Sequence, residues 1–298
     1  MKVIVFPGQG SQKKRMGKEL FDKYTTLTTT ASDILGYSIK TLCLEDPDNQ
    51  LGQTQFTQPA LFVVNALTWL EIKENLNQQP AFFAGHSLGE YNALFAAGAF
   101  DFETGLKLVK KRGELMALSK GGGMAAVIGL DEQTIKTIFT ENNFNNIFIA
   151  NYNSPSQIVI SGQDSEIVQA EPVFKSSGAK LYVKLKVSGA FHTHFMDVAY
   201  KEFSNYISKI TTNELTLPVI SNVTAQPHEN TKIADLLCQQ LISPVKWTES
   251  IQLLMAKGVD DFQEVGPGKV LTKLIEQIKK EFTPLTTNSE SEKKTPKI

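Results

Sequence analysis

Gly85-His86-Ser87-Leu88-Gly89 fits G-x-S-x-G, a string that presents a nucleophilic serine on a sharp strand-to-helix turn. Five residues with two free positions recur by chance, so the surroundings carry the weight. An apolar run, Pro80–Ala84, precedes the turn, and a helix rich in small residues, about Leu88 to Ala97, is predicted after it. In that geometry Ser87 heads the helix with its hydroxyl exposed, and the Leu88 amide points to where an oxyanion forms. A plain turn with a capping serine is the competing explanation. A serine nucleophile needs a base, usually histidine, and the chain has four: His86, His192, His194 and His228. The His86 side chain leaves the turn in another direction and suits packing or hydrogen bonding. Ser188 to His194 reads as a glycine-containing loop before a helix, a place suited to a functional histidine. His192 is the expected base, His194 a helix-start or rim residue, and His228, in a Pro-Asn-rich loop, an exposed one.

A hydrolase triad would add an acid to hold the imidazole tautomer. In the α/β-hydrolase order an acid and then a late histidine follow the serine. Here a whole lobe separates Ser87 from His192, and only two clear strands precede Ser87. A Ser–His dyad with a backbone carbonyl orienting the ring is the better fit. Pro7-Gly8-Gln9-Gly10 leaves the first strand without a G-x-G-x-x-G frame or a P-loop lysine. Its glycines permit close backbone approach, and the Gln9 amide is a candidate second oxyanion donor, although a tight strand exit explains the string equally well. Arg112 closes the basic run from Lys107 and by itself reads as a surface arginine.

Val3–Phe6 is a short apolar run of the kind a buried parallel strand shows. Helices are predicted around Met16–Tyr24, Thr26–Leu35, Gln58–Asn75 (amphipathic, with Leu61, Val64, Leu67 and Leu70 three apart) and Phe102–Leu118. Gly121-Gly122-Gly123 marks a flexible junction. Beyond it the pattern is strand Met124–Gly129, helix Asp131–Glu141, strands Ile147–Asn151 and Gln157–Gly162, helix Ser165–Ser176, strand Ala179–Lys184. That βαββαβ order is ferredoxin-like. The large lobe resumes with helix His194–Ile210, strand Leu217–Ser221, helices Ile233–Leu241 and Trp247–Lys257, strand Phe262–Val265 and helix Val270–Lys280. Thr286–Ile298 is polar and reads as a disordered tail or linker. The lobes are therefore set at 1–121 with 188–285 (large, catalytic) and 122–187 (small), leaving 286–298 as tail.

Composition narrows the function. Thirty basic against thirty-one acidic residues give a net charge of -1, which disfavours nucleic acid as a partner. Two cysteines and four histidines without HExxH or CxxC spacing disfavour a metal enzyme. No apolar stretch reaches the ~20 residues that span a bilayer. Without a signal-peptide core after Met1, a cytoplasmic location with reduced thiols is expected.

Six strings then stand in order: Phe6–Gln12, Gly85–Tyr91, Lys111–Gly113, Gly189–His192, Ser221–Thr224 and Glu264–Leu271. They resemble the malonyl-CoA:acyl-carrier-protein transacylases and the acyltransferase domains of polyketide synthases over residues 1–285. Gln53–Leu61 and Phe102–Met116 are most similar to discrete, trans-acting acyltransferases of the disorazole synthase type. The resemblance implies an α/β fold, a hydrolase-like large lobe with a parallel sheet carrying the inserted ferredoxin-like lobe. It implies ping-pong transfer of malonyl from malonyl-CoA to the phosphopantetheine of an acyl carrier protein, with no cofactor of the enzyme's own. Ser87 is then the nucleophile, His192 the base, and the Gln9 and Leu88 amides the oxyanion hole. Arg112 grips the malonyl carboxylate, and the backbone near Gln240 orients the imidazole. Phe191, a large aromatic, goes with malonyl where a small residue goes with methylmalonyl. His194 departs from many relatives. Fatty-acid synthesis, an acyl hydrolase of the same fold and an inactive carrier-binding subunit are the rival readings, and Arg112 and the intact dyad weigh against the last two. An acidic carrier partner calls for a basic entrance patch, with Lys13-Lys14-Arg15, Lys184, Lys186 and Lys279-Lys280 as candidates.

Overall fold

A computed structural model describes residues 1–281. The predicted tail, 286–298, and the last four residues assigned to the large lobe lie outside them. Among the described residues eight strands form two sheets. Strands β1 (Lys2–Phe6) and β2 (Phe82–Gly85) belong to the first. The second holds β3 (Gly122–Ile128), β4 (Ile147–Ser154), β5 (Gln157–Gln163) and β6 (Leu181–Lys184). Strands β7 (Val219–Ile220) and β8 (Asp261–Glu264) return to the first.

The first sheet runs β7-β2-β1-β8, with every neighbouring pair parallel. Both of its faces are covered. Ile4 and Phe6 enter one apolar core and Val3 and Val5 a second, all four without exposure. That is why β1 shows as an unbroken apolar run rather than an alternating one. Strand β7 is shorter than the predicted Leu217–Ser221. Pro218 has no N–H to give the ladder, and β7 is the sheet's edge, where proline is tolerated.

The helix predicted from Gln58 starts earlier, at Thr54, and ends at Lys73. It is not amphipathic in its middle: Thr57 to Leu67 are buried on every side. It packs against the helices Phe102–Ala117 and Gly89–Ala96, so a three-residue spacing of leucines undercounts its buried surface. A six-residue helix, Ile39–Leu44, capped by the Ser38 hydroxyl, escaped prediction because it is too short for a periodic signal.

The second sheet runs β4-β5-β3-β6, antiparallel throughout, with helices Glu132–Glu141 and Asp164–Ser176 in the connections. It has a separate apolar core around Val127, Ile158, Ile160 and Phe174. The predicted glycine junction is only partly a junction. Gly122 and Gly123 are paired strand residues of β3, and a Cβ on Gly122 would stand 2.3 Å from the Ala190 amide. Gly122 serves close packing against the loop that carries His192, and Gly123 against Asp164. Main-chain bonds Tyr152 to Val245 (2.9 Å) and Val245 to Ala150 (2.8 Å) tie β4 to the chain just beyond Gln240. Cys43 and Cys238 are free and buried.

Candidate active site

The turn after β2 is built by exclusion of side chains. A Cβ on Gly85 would fall 2.0 Å from Gly89, and one on Gly89 would fall 1.9 Å from the Phe6 carbonyl. Only glycine at both positions lets the helix Gly89–Ala96 start so close to β1 and β2. Between them Ser87 adopts φ +50°, a left-handed conformation that few residues other than glycine take, and His192 also has a positive φ, +62°. Such strain at two positions of one site is the mark of geometry fixed by its surroundings.

Ser87 Oγ lies 2.9 Å from His192 Nε2, and His192 Nδ1 lies 2.7 Å from the main-chain oxygen of Gln240. A carbonyl oxygen only accepts, so Nδ1 carries the proton and Nε2 turns its lone pair to the serine hydroxyl. Among the described residues no carboxylate touches the ring. Burial holds the imidazole well below its ordinary value of 6.5, down to about 3, and the positive charge of Arg112 adds to the effect. The ring is therefore a free base throughout the neutral range.

Arg112 sits on the helix that the Asp101 carboxylate caps, with 1% of its surface exposed. It is not the surface arginine its basic run suggested. Its Nη1 donates to Gln58 Oε1 (2.7 Å), and its Nη2 donates to Gln240 Oε1 (2.8 Å) and Ser87 Oγ (3.1 Å). The Tyr91 ring lies 5.5 Å from the guanidinium carbon. All of its direct hydrogen-bond partners are neutral, an unusual setting for a buried cation.

The Pro7–Gly10 turn closes on the elbow because Gly8 lacks a Cβ, which would fall 2.4 Å from the His86 carbonyl. Among the described residues neither the Gln9 nor the Leu88 amide donates to a protein acceptor. Gln9, Ser87, Leu88, Arg112, Phe191 and His192 all line one cavity of about 140 Å³. A cavity of about that size has room for roughly six heavy atoms. Its apolar wall includes Met124 of β3 and Val159 of β5, so the second sheet faces the turns that leave β1 and β2. Gln240 stands behind the cavity, fully buried.

The other histidines divide. His86 Nε2 is 2.7 Å from Asn153 Oδ1 and its ring packs on Trp247, the packing role expected, although it also reaches the cavity wall. His194 is exposed, opens a 3-10 turn (His194–Met196) ahead of the helix Asp197–Ile207, and packs on Phe148. The expectation for His228 was wrong. It is 8% exposed and its Nε2 lies 2.6 Å from Glu90 Oε1, because its loop folds back beneath the elbow helix. Of the basic candidates, Lys13 and Arg15 line a different groove, and Lys184 pairs with Asp164 at 2.7 Å.

Three side chains of the site were not singled out from sequence: Gln58, Glu90 and Asn222. Asn222 Oδ1 accepts from the Ser87 amide at 2.7 Å. Gln58 and Glu90 are polar residues inside apolar helical stretches, and that misfit was the available signal.

Residues 3–296 match the family described as acyl transferase domain. The chain is 53% identical to the polyketide biosynthesis protein PksE of Bacillus subtilis over 96% of its length, and spans 37% of that protein. It is 52% identical to the polyketide biosynthesis malonyl CoA-acyl carrier protein transacylase PksC of the same organism, covering 94% of this chain and 98% of PksC. A crystal structure of malonyl CoA-acyl carrier protein transacylase from Burkholderia pseudomallei superposes with a TM-score of 0.92 at 47% identity, covering 95% of this chain and 99% of that one.

Proposed function

The chain belongs to the acyl transferase family, and on that premise we propose that it moves malonyl from malonyl-CoA to an acyl carrier protein through an ester on Ser87. His192 Nε2 takes the hydroxyl proton as Ser87 Oγ attacks the thioester carbonyl. The Gln9 and Leu88 amides receive the oxyanion, a contribution typically worth about 10²–10³-fold per donor. Collapse breaks the C–S bond, and the CoA sulfur leaves with the proton held by His192. The phosphopantetheine thiol of the carrier then gives its proton to His192 and attacks the ester; the bond from the acyl carbon to Ser87 Oγ breaks, and His192 returns the proton to that oxygen. Gln240's carbonyl steadies the imidazole through both passes. Every step uses the chain's own groups and two thiols, so the proposal needs no metal or cofactor.

The observation that carries the choice of acyl group is a buried guanidinium 3.1 Å from the serine oxygen, with only neutral partners. A malonyl carboxylate supplies the charge it lacks, in the two-pronged geometry that guanidinium favours. Incubation with malonyl-CoA, followed by intact mass and peptide mapping, should place one malonyl group on Ser87, and holo carrier protein should remove it. An unlabelled Ser87, or a label elsewhere, would refute the assignment. The likeness to PksC and PksE favours polyketide synthesis by a trans-acting enzyme, and rates measured across polyketide and fatty-acid carriers decide between the pathways. Thioester substrates and free thiols suit the cytoplasm.

The finer architecture belongs to the same proposal. The strand order β4-β5-β3-β6 supports a ferredoxin-like lobe over 122–187. The parallel sheet with its serine elbow supports a hydrolase-like large lobe over 1–121 and 188–285.

Two expectations follow. Phe191→Ser should enlarge the cavity and admit methylmalonyl, shifting discrimination by only ~1–3 kcal/mol. Competition between the two CoA esters measures it, and unchanged selectivity in a folded variant would remove Phe191 from the acyl wall. The depressed His192 pKa predicts that kcat/KM for malonyl loading stays level from pH 8 down to 5. An imidazole of ordinary pKa, about 6.5, would give a falling acid limb inside that window, and seeing one would contradict the buried geometry.

A further inference from the structure

Two residues from outside the elbow hold the nucleophile, the base and the arginine. Asn222 brackets the turn: its Oδ1 accepts from the Ser87 amide and its Nδ2 donates to the Gly85 carbonyl, each at 2.7 Å. Gln240 holds the rest. Its main-chain oxygen takes His192 Nδ1 (2.7 Å), its Oε1 takes Arg112 Nη2 (2.8 Å), and its Nε2 donates to the Ser87 carbonyl (3.0 Å). Both holders converge on one atom. Glu90 Oε2 accepts from Gln240 Nε2 at 2.5 Å and from the Asn222 amide at 3.3 Å. Glu90 is fully buried, one helical turn past Ser87, and is not among the residues lining the catalytic cavity. Its other oxygen is 2.6 Å from His228 Nε2.

The chemistry of these groups fixes their orientation. Arginine only donates, so the Gln240 side-chain oxygen must face it and the Gln240 NH₂ must face acceptors. Glu90 Oε2 is one of those acceptors, and it accepts whether the proton between Oε1 and His228 sits on oxygen or on nitrogen. Without it the buried amide has one partner fewer, and a turn about its last bond would aim NH₂ at the guanidinium. We infer that Glu90 is a positioning residue, a two-fold hydrogen-bond acceptor that sets Asn222 and Gln240, and through them Ser87, His192 and Arg112. This rests on the roles proposed above for those three.

The test measures the rate of acyl-enzyme formation per serine that labels, with malonyl-CoA and acetyl-CoA. Glu90→Ala removes the acceptor and should slow that rate by about 10²-fold, the scale of a small misplacement of reacting groups, for both esters and with KM little changed. Glu90→Gln should recover most of the loss, since its carbonyl can face both donors while its NH₂ turns to the other tautomer of His228. A merely structural role would lower the fraction of enzyme that labels and leave the rate per labelled serine at the parental value, which would overturn the inference. Equal losses in Glu90→Gln and Glu90→Ala would overturn it too, because charge and not acceptance would then matter. If the alanine variant folds poorly, Glu90→Leu fills the space without an acceptor. It should be as slow per labelled serine, and a parental rate there counts against Glu90. A parent enzyme that forms no ester at Ser87 would instead refute the site assignment itself.

Discussion

Arg112→Ala should cut malonyl loading of Ser87 by roughly 30- to several-thousand-fold, from the ~2–5 kcal/mol that losing one partner of a buried charge pair costs. Acetyl brings no carboxylate, so its loading should change little or rise, and the preference for malonyl should collapse. The variant also strands the side-chain oxygens of Gln58 and Gln240, so stability should drop by about 1–3 kcal/mol for each one left without a partner. Loading is therefore compared on the folded fraction. One more readout separates the two roles. The Arg112 charge is the second cause of the low His192 pKa, after burial, so its removal should let that pKa rise. Equal losses for malonyl and acetyl would give Arg112 a structural role only.

His192→Ala should slow both half-reactions by roughly 10²–10⁴-fold, the usual worth of a positioned general base. Single-turnover loading from malonyl-CoA and discharge to holo carrier protein measure the two separately. Loss in one half only would mean another group serves the other. Acid stability offers an independent check, with its sign fixed by the same shift. Below about 6.5 an unfolded imidazole takes up a proton that the folded one refuses until about 3, so His192 destabilises the parent increasingly as pH falls through that window. The alanine variant lacks this liability, and its denaturation midpoint should fall less steeply with acid. Parallel pH curves for the two proteins would deny that the buried imidazole stays neutral.

The parts of the site that sequence disclosed were local. An apolar run, two glycines bracketing a serine and a small-residue helix sit within about fifteen residues, and the geometry follows from sterics that each glycine declares. The βαββαβ order was equally open, because each element of the small lobe has its own period. What stayed hidden is non-local. Glu90 meets His228, Gln240 and Asn222 across separations of 138, 150 and 132 residues, and no spacing along the chain encodes those encounters. His228 shows the failure plainly: a Pro-Asn-rich loop suggests solvent, and only the elbow helix above it provides the carboxylate that justifies burial. Arg112 shows another. The three lysines of the run, Lys107, Lys110 and Lys111, have the character of a solvated face, while helical rotation turns Arg112 inward with Leu108 and Val109.

A thioester hands its acyl group to any thiolate that can reach it, so an enzyme working among thioesters risks acylating its own cysteines. Here Cys43 and Cys238 are sealed in the core, and burial pushes both thiols up, away from the reactive thiolate form. On the proposed mechanism, acyl traffic is then confined to one serine and to thiols on other molecules. The same confinement separates the reagents that stop each half of the cycle. Iodoacetamide should cap a carrier's phosphopantetheine while sparing the enzyme, trapping malonyl on Ser87 with nowhere to go. Mass spectrometry of such a mixture should find the ester intact and both cysteines unalkylated.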